Sequence, residues 1–193
     1  MKARFLLLAT AAIAATACGN PNAVKATAVT IEDTLVVYSF HGTPVPLPTA
    51  LNTFSHVAVR AEVGTNFDLV FDSARVLPGA VPDTQAVILP PKLILGVGIT
   101  GILKSRIGYD SLVSAPGSGY QDSLPMVIRR GDVYVLQAHT ANCGANVAPY
   151  NVLYTKIVID SINPDPEILS IHFRMRVDPN CGFLSFRDGI PTG

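Results

Sequence analysis

The chain has no tryptophan, only three cysteines among its 193 residues, and charge on only 15% of its side chains. Each scarcity excludes something. Without tryptophan, an aromatic platform for sugar rings is poorly served. Three cysteines cannot build a disulfide-dense scaffold. Basic and acidic groups balance at 14 each, which gives no electrostatic footprint for nucleic acid. No apolar run approaches the roughly 20 residues that cross a bilayer as a helix. No segment carries a 3.6-residue apolar stripe with caps. The four histidines, His41, His56, His139 and His172, form no H-E-x-x-H or H-x-H pattern, and no calcium-loop spacing or G-x-S-x-G is present. Little charge combined with abundant Val, Ile and Leu argues for a packed body rather than disorder.

What is present begins at the N-terminus. Lys2 and Arg4 form a short basic head, Phe5 to Ala14 an apolar run, and Ala15-Thr16-Ala17-Cys18 a small-residue close. This is the layout of a secretory signal spanning 1–17. Ala15-Thr16-Ala17-Cys18-Gly19 resembles the lipobox of bacterial lipoproteins, with Ala15 where that class most often has Leu. The resemblance covers the signal alone. It implies that Cys18 becomes the first mature residue and carries the lipid, and that Gly19 directs the protein to the outer membrane of a diderm cell. Ala15-Thr16-Ala17 also fits the A-x-A site of ordinary signal cleavage at the same bond, which would give a soluble periplasmic protein. Parity favours lipid. With Cys18 modified, Cys143 and Cys181 are left to pair; otherwise an exported chain keeps an odd thiol.

Beyond the signal, removing Lys2 and Arg4 from the 14 basic groups leaves 12 against 14 acidic ones. The mature part, about 175 residues, suffices for one domain with its own core. Residues 18–27 read as the lipidated cysteine and a short tether, and 28–193 as a single domain. Fifteen Gly and fifteen Pro interrupt short apolar runs, which predicts a β architecture.

Ala28 to Phe40 predicts a first strand or a bent pair. The three prolines of Gly42 to Pro48 exclude a central strand there. His56 to Val63 alternates, with Val57, Val59, Ala61 and Val63 on one face. Gly64-Thr65-Asn66 should turn it into a hairpin with Phe67 to Phe71. Pro78 to Pro82 reads as a loop. Ala86 to Leu89 and Leu93 to Leu95 are short runs broken by Pro90-Pro91. Ile99 to Val113 reads as one long or interrupted strand. Ala115 to Gly119 turns between two similar flanks, 108–112 and 119–124, as in a hairpin. Met126 to Arg129 and Val133 to Ala138 flank a turn at Arg130-Gly131-Asp132.

Tyr154 to Ile162 and Ile168 to Val177 give the clearest pair, around the loop 163–167. Both apolar sets are odd-numbered, so opposed residues should have an even sum, with Ile159 facing Ile171 and Ile157 facing Phe173. Ser170, His172, Arg174 and Arg176 then share the other face. Eight to nine strands at this spacing predict an all-β, antiparallel two-sheet sandwich of Ig-like architecture, with a small β-barrel as the alternative.

Several motifs invite chemistry. Gly96-Val97-Gly98-Ile99-Thr100-Gly101 matches G-x-G-x-x-G, but dinucleotide binding needs a helix opening at the loop, and 102–108 makes a poor one. Arg130-Gly131-Asp132 spells an adhesion tripeptide that a turn explains equally well. Cys143 and Cys181, each followed by glycine, are expected to form a disulfide in an oxidising compartment, closing a loop worth roughly 3–4 kcal/mol. The rival use of Cys143 is metal binding with His139, two ligands where structural zinc usually takes four. His172, Arg174 and Arg176 form a candidate anion-binding surface, against the plainer reading of a solvated strand face. No catalytic residue, resident metal or cofactor is assigned.

These readings converge on an exported, lipid-anchored envelope protein that binds or scaffolds an envelope protein or glycan without catalysis. The alternatives are an envelope enzyme or accessory domain acting on glycan or peptide, and a periplasmic binder of metal or a small ligand.

Overall fold

A computed structural model describes residues 25–44, 46–61, 66–73, 85–140, 143, 151–165 and 168–191. The signal, Cys18, most of the tether and the 78–82 loop lie outside these. The described elements are β1 Ile31–Tyr38, β2 Ala50–Asn52, β3 Val57–Val59, β4 Leu69–Ser73, β5 Ala86–Leu89, α1 Pro91–Leu95, β6 Gly101–Ser105, β7 Met126–Ile128, β8 Val133–His139, β9 Val152–Asn163 and β10 Ser170–Asp178. They form two antiparallel five-stranded sheets, ordered β1-β10-β9-β8-β6 and β3-β2-β4-β5-β7. The sheets are not closed into a barrel, so the sandwich holds and the barrel alternative does not.

Alternation along the strands builds the core. Leu69, Phe71 and Ile88 of the second sheet meet Ile157, Ile159, Phe173 and Met175 of the first, all fully buried. Phe71 and Phe173 stack with centroids 5.2 Å apart. Both outer faces also carry cover. Tyr109, Leu112, Ala115 and Phe186 pack on Val133, Val135, Tyr154 and Val158 of the first sheet. Phe40, Phe67, Ile94 and Leu95 pack on Val70, Val87 and Leu89 of the second. Strands buried on both faces read as near-continuous apolar runs, as β5 and β9 do.

Several expectations need correction. β3 does not pair with β4. The three-residue β2, just after the prolines, pairs with β3 through the turn 53–56 and with β4 on its other side. β2 was hidden because three residues are too few to show alternation. The end of the expected strand and the turn at Gly64-Thr65 lie outside the described residues. Leu93 to Leu95 belongs to the helical turn α1, opened by Pro91 and closed by Gly96 in the left-handed conformation at φ 70°.

The region 99–113 holds only the short β6. The similar flanks 108–112 and 119–124 do not form a hairpin with each other. Gln121 bridges Ile102, and Ser114 bridges Ser185. Tyr109, Leu112 and Ala115 instead fold over the first sheet, where they remove apolar surface from water. A Cβ at Gly101 would lie 2.7 Å from Tyr120 Cβ, so glycine permits this close approach. β7 and β8 flank the 129–132 turn as expected, but in different sheets.

The β9–β10 pairing is shifted by two residues from the expected register. Ile159 faces Phe173 and Ile157 faces Met175, so the even sum holds there. A bulge leaves Asp160 without an opposite residue, and Ile162 then faces Ile171. The extra residue reverses the parity of β9, which lets even-numbered Ile162 join the same core as Ile157 and Ile159.

Candidate functional site

The Cys143–Cys181 disulfide is formed, with Cα atoms 5.6 Å apart. It joins the chain just beyond β8 to the chain just beyond β10. Cys143 is thereby removed from any metal pair with His139. Cys18 lies outside the described residues.

His172, Arg174 and Arg176 do share the outer face of β10, and His172 is exposed. Both arginines are already engaged. Arg174 Nε donates to Asp160 Oδ2 (3.1 Å) and its Nη2 to Oδ1 (3.2 Å), so the bulged residue supplies its counter-ion. This pairing holds the Arg174 pKa above its ordinary value. Arg176 donates Nε and Nη2 to Glu32 Oε2, and Nη1 to Phe186 O (3.2 Å) and Asp188 Oδ1 (3.0 Å).

Beside Arg176 stands a residue that the sequence reading passed over. Lys156 of β9 lies directly opposite Arg176, which lies opposite Glu32 of β1. Lys156 is only 2% exposed. Its Nζ donates to the carbonyls of Tyr109 (2.6 Å) and Leu112 (3.0 Å) and sits 4.2 Å from the Tyr109 ring centroid. Burial, with Arg176 adding repulsion, pushes the Lys156 pKa down. The signal was a lone lysine inside the apolar run Leu153 to Ile159. A lysine there must either be buried or break the sheet's cover.

Lys156 and Arg176 line a cleft of about 510 Å³ with Tyr109, Val113, Phe186 and Asp188. An adjoining depression of about 650 Å³ shares Val113 and Asp188 and continues along the C-terminal segment. Tyr109 is buried, which pushes its phenol pKa up, and its hydroxyl has no hydrogen-bond partner among the described residues. The cleft thus offers the cations of Lys156, Arg176 and Arg187, the exposed carboxylates of Asp110 and Asp188, and ring faces.

A second arrangement lies where β1 crosses to the other sheet. Phe40 N donates to Phe71 O (2.8 Å), which brings His41 to Asp72 of β4. Asp72 is fully buried. Its Oδ1 accepts from Ser39 Oγ (2.8 Å), Ser73 N (2.8 Å) and His41 N (3.2 Å). Its Oδ2 contacts His41 Nδ1 at 2.5 Å. A carboxylate can only accept, so His41 Nδ1–H donates to Asp72 and Nε2 is left outside that bond. The His41 side chain is 64% exposed. The two residues are 31 apart in sequence, and no spacing rule could have paired them.

Other motifs resolve into structure. Gly96 ends α1 and Gly101 opens β6, so the glycine pattern follows a helical turn instead of preceding a helix, and a pyrophosphate site of the dinucleotide type is not formed. In the Arg130-Gly131-Asp132 turn, Asp132 Oδ2 accepts from Arg129 N (2.9 Å) and Tyr134 Oη (3.1 Å) and pairs with Lys104 Nζ (2.7 Å). That carboxylate holds the corner between sheets. His56 takes φ 55° in the β2–β3 turn, and burial lowers its pKa against the opposing pull of Asp33. Among the described residues, no three His, Cys, Asp or Glu gather as a metal site. No protein-family model matches the chain, and neither does any curated protein.

Proposed function

We propose that the protein is an exported, lipid-anchored domain of the cell envelope that acts by binding an envelope protein or glycan, without catalysis. The observation that carries this reading is the Cys143–Cys181 bond. A structural disulfide suits an oxidising compartment. It also uses two of the three cysteines and leaves Cys18 as the odd one, at the position that resembles a lipobox. Lipid on Cys18 would retain the domain at the membrane, with stable anchoring requiring more than one acyl chain. Membrane fractionation of wild type and Cys18→Ala tests the anchor: the variant should move to the soluble fraction. Crosslinking at the envelope tests the binding role: a specific partner should be captured, whereas robust hydrolase turnover by the purified protein would overturn it.

The His41–Asp72 pair favours a second reading, an envelope enzyme or accessory domain acting on glycan or peptide. An exposed imidazole oriented by a buried carboxylate is equipped for general-base work. On this reading turnover is present in the wild type and lost in His41→Gln; its absence from the wild type would leave the pair a structural tie.

A further inference from the structure

We propose that the cleft on the outer face of the first sheet binds a small carboxylate ligand, and that Asp188 is a built-in competitor for it. The inference deepens the binding reading above by naming a ligand class.

Lys156 and Arg176 stand directly opposite each other on neighbouring strands, and like charges so placed repel. Glu32, on the far side of Arg176, supplies one counter-charge. The other carboxylate on Arg176 is Asp188, whose side chain is 91% exposed. A contact held by so exposed a side chain is cheaply broken and remade. Its oxygen shows what the Nη1 edge of Arg176 donates to, namely a carboxylate at 3.0 Å.

Lys156 supplies the second element. An ammonium has three donors, and two are spent on the carbonyls of Tyr109 and Leu112. A buried ammonium whose hydrogen-bonded partners are carbonyls rather than carboxylates gains from an incoming anion. The walls complete the match. Phe186, Tyr109 and Val113 line the same cleft and suit a compact apolar or aromatic body behind the carboxylate. A purely structural Lys156, fastening the 109–112 turn to the sheet, would share the carbonyl contacts but would not respond to ligand.

The purified full-length protein in detergent is titrated with benzoate, benzylamine and inorganic phosphate, by calorimetry and by backbone amide shifts. Benzoate should bind saturably, with shifts confined to residues 109–113, 156, 176 and 182–190. Asp188→Asn should bind benzoate about two- to fivefold tighter, the range of an exposed ion pair. Lys156→Met should bind at least about tenfold more weakly, the loss of a charged hydrogen bond. If Lys156→Met does not fold, Asp188→Asn decides alone. No saturable benzoate binding, unchanged or weaker binding by Asp188→Asn, or preference for benzylamine or phosphate would each overturn the proposal. Because anchoring is read separately by fractionation, a soluble protein that binds benzoate would refute the anchor and keep the cleft.

Discussion

Replacing Lys156 by Met keeps most of the side-chain volume and removes the ammonium. The carbonyls of Tyr109 and Leu112 lose a donor at 2.6 and 3.0 Å. Each buried acceptor left unpaired costs about 1–3 kcal/mol. The cation over the Tyr109 ring, at 4.2 Å, contributes a further 0.5–2 kcal/mol, roughly. Against this stands the relief of a desolvated charge, which burial and Arg176 already disfavour. The net expectation is a destabilisation of about 2 kcal/mol at pH 7, read from urea midpoints. The pH dependence gives an independent check. The folded pKa of Lys156 lies below its unfolded value of about 10.4. Between the two the unfolded state binds more protons, so wild-type stability gains from this group as pH rises through that window. The Met variant lacks the gain, so the gap between the two proteins should widen toward pH 10. A variant as stable as wild type at pH 7, or a gap that narrows with pH, would refute the account of Lys156 as a desolvated ammonium tying the 109–112 turn to the sheet.

Removing the disulfide with Cys143→Ser and Cys181→Ser should cost about 4 kcal/mol, since the bond closes a loop of 38 residues, and should lower Tm by roughly 8–16 °C. Calorimetry showing a loss under about 1 kcal/mol would mean that the hydrogen bonds beside it, Gly182 N to Val152 O and Thr140 N to Asn151 O, already carry the constraint. Phe173→Ala should cost about 3–5 kcal/mol in chemical denaturation, because a fully buried ring between the sheets is lost. A cost under about 1 kcal/mol would contradict its central place. Burial raises the pKa of Tyr109, Tyr120 and Tyr134. Above about pH 10 the unfolded state sheds those protons while the folded state keeps them, so stability should fall with rising pH. Phenolate absorbance should therefore show at least these three of the six tyrosines ionising only as the fold is lost, and full titration of the folded protein near pH 10 would contradict it.

Legibility in the sequence followed the strength of local pattern. The β9–β10 pair was visible because two alternating runs flank a proline-bearing loop. Its register was missed by two residues because the pairing starts at Asn163–Ser170 rather than at the ends of a five-residue loop, and the bulge at Asp160 then restores the even sum; neither is encoded by apolarity. One trace of it existed: Ile162 is out of phase with Ile157 and Ile159. β2 was invisible because its pairing is fixed by neighbours on both sides rather than by its own three residues. The 109–113 part of the cover over the first sheet read as strand because a loop that packs on a sheet needs apolar residues too. The disulfide was legible from cysteine parity and compartment. The arginines of β10 were placed on the right face, but their partners Asp160, Glu32 and Asp188 come from three other segments. His41 and Asp72 meet only because β1 crosses between sheets, a tertiary event with no local sign.

The central claim, an anchored and oxidised envelope domain, is tested most directly by the intact mass of the mature protein from membrane extracts, with and without reductant. The account predicts an N-terminus at Cys18 carrying acyl mass, and a gain of two hydrogens on reduction as Cys143 and Cys181 separate. An unmodified Cys18 on a soluble protein, or free thiols on Cys143 and Cys181 without reductant, would contradict it.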